Sequence, residues 1–213
     1  MAKPLTIPDK LTFIRIIILP FFLAATVVNT LEARIAALVL FVIAVLTDAF
    51  DGTIARKLNI CSRFGTFLDP LADKLIVSAA LISFVQLSEV NVPAWMVVLI
   101  ISREFIITGL RLLAMSHNRV IAASRAGKFK MTTQTIVIIA ILVILVVNSV
   151  LAGKYSMSAS MLLDMTGWRY YLGVFLTKFP YWMMLYAALF TVYSGIVYMY
   201  RNIGIIKLEF ESR

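Results

Sequence analysis

Six long apolar stretches, each joined to the next by a polar segment, constrain this chain more than any other feature it has. They run at about 12 to 28, 33 to 56, 68 to 87, 94 to 114, 131 to 151 and 180 to 201. A hydrocarbon layer about 30 Å thick takes roughly 20 apolar residues of helix to cross. Within that layer only helices or closed barrels satisfy every backbone N–H and C=O. The runs are continuously apolar rather than alternating, so helices are expected. With 62% of its 213 residues hydrophobic and 15% charged, the chain holds more apolar surface than one soluble core could bury. The expected fold is an all-α membrane protein of six transmembrane helices, a single integral membrane domain over residues 1–213.

The first stretch follows Lys3 and Lys10 and superficially resembles a secretory leader, with Leu23-Ala24-Ala25 as a weak cleavage-like site. Arg15 lies within it and Pro20 bends it, which suits a leader poorly, so retention is expected. If the N-terminus is cytoplasmic and the spans alternate, sixteen of the 20 Lys and Arg fall inside and four, Arg34, Lys154, Arg169 and Lys178, fall outside. That bias follows the positive-inside rule and puts both termini on the cytoplasmic side of a multi-pass membrane protein. The net charge of +9 thus reads as topology, and as an inner face suited to membrane lipid headgroups and phosphorylated substrates, not to nucleic acid. Cys61 is the only cysteine, which rules out an intramolecular disulfide, and it reads as a loop residue. His117, the only histidine, reads as solvated in the basic inner connection from Met115 to Lys130. Residues 153 to 178 form the longest outer segment, with Trp168, Tyr170 and Tyr171 as an interfacial aromatic belt on a short surface helix and no catalytic role.

Chemistry concentrates where the second stretch closes and the third opens. T-D-A-F-D-G-T-I-A-R occupies residues 47 to 56 and G-T-F-L-D-P-L-A-D-K residues 65 to 74. On a helix Asp48, Asp51, Gly52 and Ala55 form one stripe, and Asp69 and Asp73 another, so two helices of a hairpin each aim two acids at one cleft. A charge within the bilayer costs on the order of 3 kcal/mol, and four like charges add repulsion, so cations belong between them. Hard oxygen ligands favour Mg²⁺ or Mn²⁺ over zinc or copper, and four carboxylates are enough for two ions. Gly52 and Ala55 remove bulk beside the acids, letting a diphosphate approach the backbone. The bland alternative pairs the acids with Arg56, Lys57, Arg63 and Lys74 at a water interface; it accounts for any single Asp better than for the whole pattern. Lys74 has two possible partners, Asp73 or a neighbouring phosphate.

That pattern, D-x2-D-G-x2-A-R-x8-G-x3-D-x3-D, resembles the signature of the CDP-alcohol phosphotransferase family, with every fixed position filled. The resemblance implies a six-helix fold, a homodimer, and displacement of CMP from a CDP-linked donor by an alcohol at a site near the cytoplasmic face. It implies Asp48, Asp51 and Asp69 as metal ligands, with Asp73 as general base and as a further metal ligand. Asp48, Gly52, Ala55 and Arg56 would contact the CDP moiety.

The acceptor must be read elsewhere. S-R-E-F-I-I-T-G-L-R-L-L-A at residues 102 to 114 puts Glu104, Thr108 and Arg111 on one helical face beside Arg103. One arginine can pair with Glu104, and the spare charge suits a phosphomonoester. Arg103, Arg111 and Lys128 are therefore the expected acceptor-phosphate residues, while Arg119, Arg125 and Lys130 read as positive-inside topology. R-E-F-I-I-T-G-L-R, V-I-A-A-S-R-A-G-K-F-K-M-T-T-Q and the I-P-x-x-L-T-x-x-R start at residues 7 to 15 resemble the bacterial phosphatidylglycerophosphate synthase branch of the family. It joins CDP-diacylglycerol to sn-glycerol 3-phosphate. That branch commonly has Asn where this chain has Asp9, while Thr12 and Arg15 stay in phase, with Arg15 placed to reach the inner headgroup layer. Serine, inositol phosphate or phosphatidylglycerol as acceptor are the alternatives within the family. A cation transporter is the alternative outside it, disfavoured because the acids cluster at one face; a catalytically dead scaffold is disfavoured because all four are present.

Overall fold

The computed structural model describes the backbone of residues 7–58, 63–116 and 125–203, and the side chains of 13–47, 74–111 and 129–203. Among the described residues six α-helices follow one another: α1 (Ile7–Val27), α2 (Leu31–Leu58), α3 (Arg63–Gln86), α4 (Ala94–Ser116), α5 (Arg125–Tyr155) and α6 (Trp168–Arg201). There is no strand among the described residues, and a short 3-10 turn, Met161–Asp164, precedes α6. The all-helical class is the one expected.

Local chemistry sets the helix ends. Thr30 Oγ1 accepts the Ala33 N–H at 3.3 Å and caps the start of α2, with Glu32 in the first turn facing the positive end of the helix dipole. Asn91 takes a left-handed φ of 47° in the turn before α4, a conformation Asn tolerates better than most residues. Below that turn Arg34, only 2% exposed, bonds Glu89 at 3.0 Å and ties the start of α2 to the α3–α4 connection.

Packing places α1 against α2 and α3, α2 against α5, and α6 against both α4 and α5. Phe22 and Phe41, both fully buried, meet with ring centroids 5.9 Å apart between α1 and α2. Ala37, Ala44 and Ala80 admit the helices closely around them. The outward faces are equally apolar: Ile17 and Phe21 on α1, Val39 on α2, Val98 on α4, Ile136 on α5 and Leu189 and Ile196 on α6 are exposed. A surface apolar on helix after helix is one that lipid, not water, solvates.

Two differences from the expected spans have physical causes. The last helix begins at Trp168 rather than near 180 and runs through Pro180, because Gly173 and Leu176 pack on Leu162 of the 3-10 turn. The aromatic belt is thus the first part of α6, not a separate surface helix. Among the described residues, Phe129–Tyr155 and Trp168–Arg201 alone are long and apolar enough to cross a bilayer by length and composition, while Phe13–Val27 and Lys74–Gln86 are apolar but shorter. The described part of α4 carries three charges, Arg103, Glu104 and Arg111, which sets it apart from a plain lipid span. A third difference concerns Arg15: at 3% exposure it is packed inside the bundle rather than reaching for headgroups.

Candidate active site

Asp48, Asp51, Gly52, Ala55 and Arg56 lie in the last turns of α2, and Asp69 and Asp73 in the first half of α3. The helices on which the acid pattern depends are therefore present. The side chains of all seven, and that of Lys128 on α5, lie outside the described residues. Among the described residues there is no cluster of three or more His, Cys, Asp or Glu. The donor set itself, four carboxylates, has the hard-oxygen chemistry that suits Mg²⁺ or Mn²⁺.

The described part of the site begins one residue further on. Lys74, which follows Asp73 directly, lines a cavity of about 140 Å³ together with Arg103, Glu104, Thr108, Arg111, Lys130 and Gln134. Three helices supply them. Lys74 comes from α3, the S-R-E stretch from α4, and Lys130 and Gln134 from α5. Among the described residues its lining holds four cations and one carboxylate.

Glu104 is the hub of the charge arrangement. Its carboxylate takes Lys130, Arg103 Nη1 at 3.4 Å and Lys74 Nζ at 3.6 Å. Lys74 also donates to the Glu104 carbonyl at 3.2 Å and to the Thr108 hydroxyl, which in turn donates to that carbonyl at 2.7 Å. Among the described residues Glu104 is the one carboxylate these three cations share, while Arg111 meets Tyr198 rather than a carboxylate. The expectation that Glu104, Thr108 and Arg111 share a face holds, and all three line the cavity. Lys130 departs from the expected topological role: it is 4% exposed and lines the cavity.

Both arginines are held from behind by α6. Arg103 Nη2 donates to Ser194 Oγ at 2.7 Å, and the Arg111 guanidinium carbon sits 5.5 Å from the Tyr198 ring centroid, with Nε donating to Tyr198 Oη at 3.4 Å. Gly195 makes room, since a Cβ there would stand 2.9 Å from Arg103 Cγ. Sequence reasoning gave α6 no part in the site. The signal was present in the buried stripe Thr191, Ser194, Gly195 and Tyr198, small or polar residues at helical spacing in an otherwise apolar span.

A family model described as CDP-alcohol phosphatidyltransferase matches residues 5–193, and the chain belongs to that family. The family is membrane-integral in bacteria and generally uses divalent metal ions. Among curated relatives, the chain is 47% identical over 148 residues to the CDP-diacylglycerol–glycerol-3-phosphate 3-phosphatidyltransferase of Bacillus subtilis (strain 168), a match covering 64% of this chain and 76% of that protein. It is 37% identical over 136 residues to the protein of the same name from Escherichia coli (strain K12), covering 61% and 72% respectively. With the probable phosphatidylglycerophosphate synthase of Mycobacterium tuberculosis (strain ATCC 25618 / H37Rv) it shares 38% over 140 residues, 64% of this chain and 66% of that one.

Proposed function

We propose that this protein transfers the phosphatidyl group of CDP-diacylglycerol to sn-glycerol 3-phosphate, releasing CMP and forming phosphatidylglycerophosphate for phospholipid synthesis. Family membership supports the CDP-linked donor, and the relatives' names support both substrates. The observation that carries the acceptor is the cavity of Lys74, Arg103, Arg111 and Lys130, which opens one residue beyond Asp73. A phosphomonoester fits there because forked guanidinium donors and ammonium groups match its oxygens, whereas a neutral alcohol gives them no charge to bind. Lys128 joins them as a further acceptor-phosphate residue.

Asp48, Asp51, Asp69 and Asp73 would hold Mg²⁺ or Mn²⁺, two ions on four carboxylates. When bound, such ions neutralise charge on the diphosphate and on the departing CMP. The rest falls to the chain. Gly52, Ala55 and Arg56 accommodate the CDP moiety along α2. The cationic cavity holds the acceptor phosphate, leaving a terminal hydroxyl at the α3 end. Asp73 takes that hydroxyl's proton as the oxygen bonds to the diacylglycerol-bearing phosphorus and the bond from that phosphorus to the CMP oxygen breaks, so CMP leaves with the electron pair. The chain would act as one six-span membrane domain, a homodimer, with termini and site on the cytoplasmic side.

The test is CMP release by purified protein given CDP-diacylglycerol and Mg²⁺ or Mn²⁺, with glycerol 3-phosphate compared against serine, inositol phosphate and phosphatidylglycerol. Preference for glycerol 3-phosphate, abolished by chelation and restored by the metal, is expected. Equal release with serine would remove the acceptor assignment. Metal flux in liposomes without CMP release would return the transporter.

A further inference from the structure

Besides Arg103 Nε, the cavity lining holds one neutral buried donor without a partner. Gln134 lies on α5 one turn beyond Lys130, is 5% exposed and lines the same cavity, and its amide Nε2 is buried without a hydrogen-bond partner. An unmatched amide donor is costly to bury, and native proteins keep few of them. A ligand atom that accepts from Nε2 removes that cost.

The chemistry of the neighbours narrows what that atom is. Lys74, Arg103, Arg111 and Lys130 already surround the space with charged donors, and phosphate oxygens are bound better by those than by a neutral amide. A neutral N–H is the natural match for a neutral hydroxyl oxygen. Glycerol 3-phosphate carries two hydroxyls: the unhindered terminal one, which reacts, and the middle one, which does not. We infer that Gln134 Nε2 donates to the non-reacting middle hydroxyl of the acceptor and so selects a vicinal diol phosphate over a simple hydroxyalkyl phosphate. With the phosphate held by the cations and the middle oxygen held by Gln134, the terminal hydroxyl has one direction left to point. This inference rests on the reading of glycerol 3-phosphate as acceptor.

The experiment compares glycerol 3-phosphate with 3-hydroxypropyl phosphate, which lacks only the middle hydroxyl, on the full-length protein with CDP-diacylglycerol and Mg²⁺. The unaltered protein is expected to prefer glycerol 3-phosphate in kcat/KM by about tenfold. Gln134→Leu, and separately Gln134→Met, should lower kcat/KM for glycerol 3-phosphate by about the same factor while leaving 3-hydroxypropyl phosphate and the donor KM within about twofold. If both variants lose equally on both acceptors, or keep the original discrimination, Gln134 does not read the hydroxyl. Failure of the unaltered protein to use glycerol 3-phosphate at all would overturn the acceptor reading and this inference with it.

Discussion

Arg103 is the residue that most directly tests the proposed acceptor site, because it touches groups on two helices and faces the cavity. It shares Glu104 with two lysines, donates to Ser194 on α6, and lines the cavity. Arg103→Ala is expected to raise KM for glycerol 3-phosphate by about tenfold to a hundredfold, the range of a lost charged hydrogen bond, with the KM for donor within about twofold. Arg103→Lys keeps the charge but not the fork and should recover only part of the loss. Initial-rate kinetics with each substrate varied separately decide both. Asp73 tests the other half of the site. Asp73→Asn should lower kcat by roughly 10² to 10⁴, the usual worth of a positioned base, while donor binding measured by displacement of labelled CDP-diacylglycerol persists. Normal turnover in that variant would sink the base assignment. The place of Arg103 and Arg111 in the cavity was legible in the sequence because two arginines in an apolar helix, one beside the face of the other, demand partners. Lys130 and Gln134 were not: beside Arg125 and Lys128, a lysine in a basic connection looks like topology. Only the tertiary placement of α5 turns Lys130 inward.

At the scale of helices, α6 makes opposite demands at two of its glycines, and this separates site from scaffold. At Gly195 an added Cβ would meet the flexible stem of Arg103, 2.9 Å from its Cγ. At Gly173 it would meet Leu162 Cβ at 2.8 Å and the Leu162–Leu163 backbone at 3.1 Å. A flexible side chain can yield, whereas the backbone of a packed turn yields only at a cost. Gly195→Ala is therefore expected to raise the KM for glycerol 3-phosphate several-fold with little change in thermal unfolding. Gly173→Ala should do the reverse, destabilising by about 1–3 kcal/mol, typical of overpacking, with kinetics unchanged. Detergent-solubilised melting curves beside initial rates would show the split; parallel effects in both variants would dissolve it. The number and order of helices were legible because each apolar run is long and bounded by polar residues. The early start of α6 was not, since Arg169, Lys178 and Pro180 interrupt the apolar run there, and only Gly173 and Leu176 against Leu162 keep that length helical.

If all six helices cross the membrane, as proposed, their even number puts the start of α1 and the end of α6 on the same side, and successive connections alternate. On α3 the cationic cavity lies at Lys74, and the Arg34–Glu89 pair lies just beyond the helix's far end, with about 1.5 Å of rise per residue separating them along the axis. The site and that ion pair thus belong to opposite ends of the bundle. Under the proposed topology, the distribution of Lys and Arg puts the site end in the cytoplasm. Cys61, the only cysteine in the sequence, falls between α2 and α3, beside the acid pattern, and is a native reporter of that side. A membrane-impermeant maleimide should label it in inverted vesicles and not in right-side-out ones. A second protein carrying Cys61→Ser and Ser158→Cys should give the opposite result, because Ser158 is exposed in the connection between α5 and α6. Exchange of the two patterns would invert the membrane orientation and put the phosphate cavity on the outer face, away from a cytoplasmic supply of glycerol 3-phosphate. Labelling of both positions from one side would contradict alternate crossing by α3, α4 and α5. Only the expected pair of results leaves the acids of α2 and α3, the cavity beside them and both termini together on the cytoplasmic side.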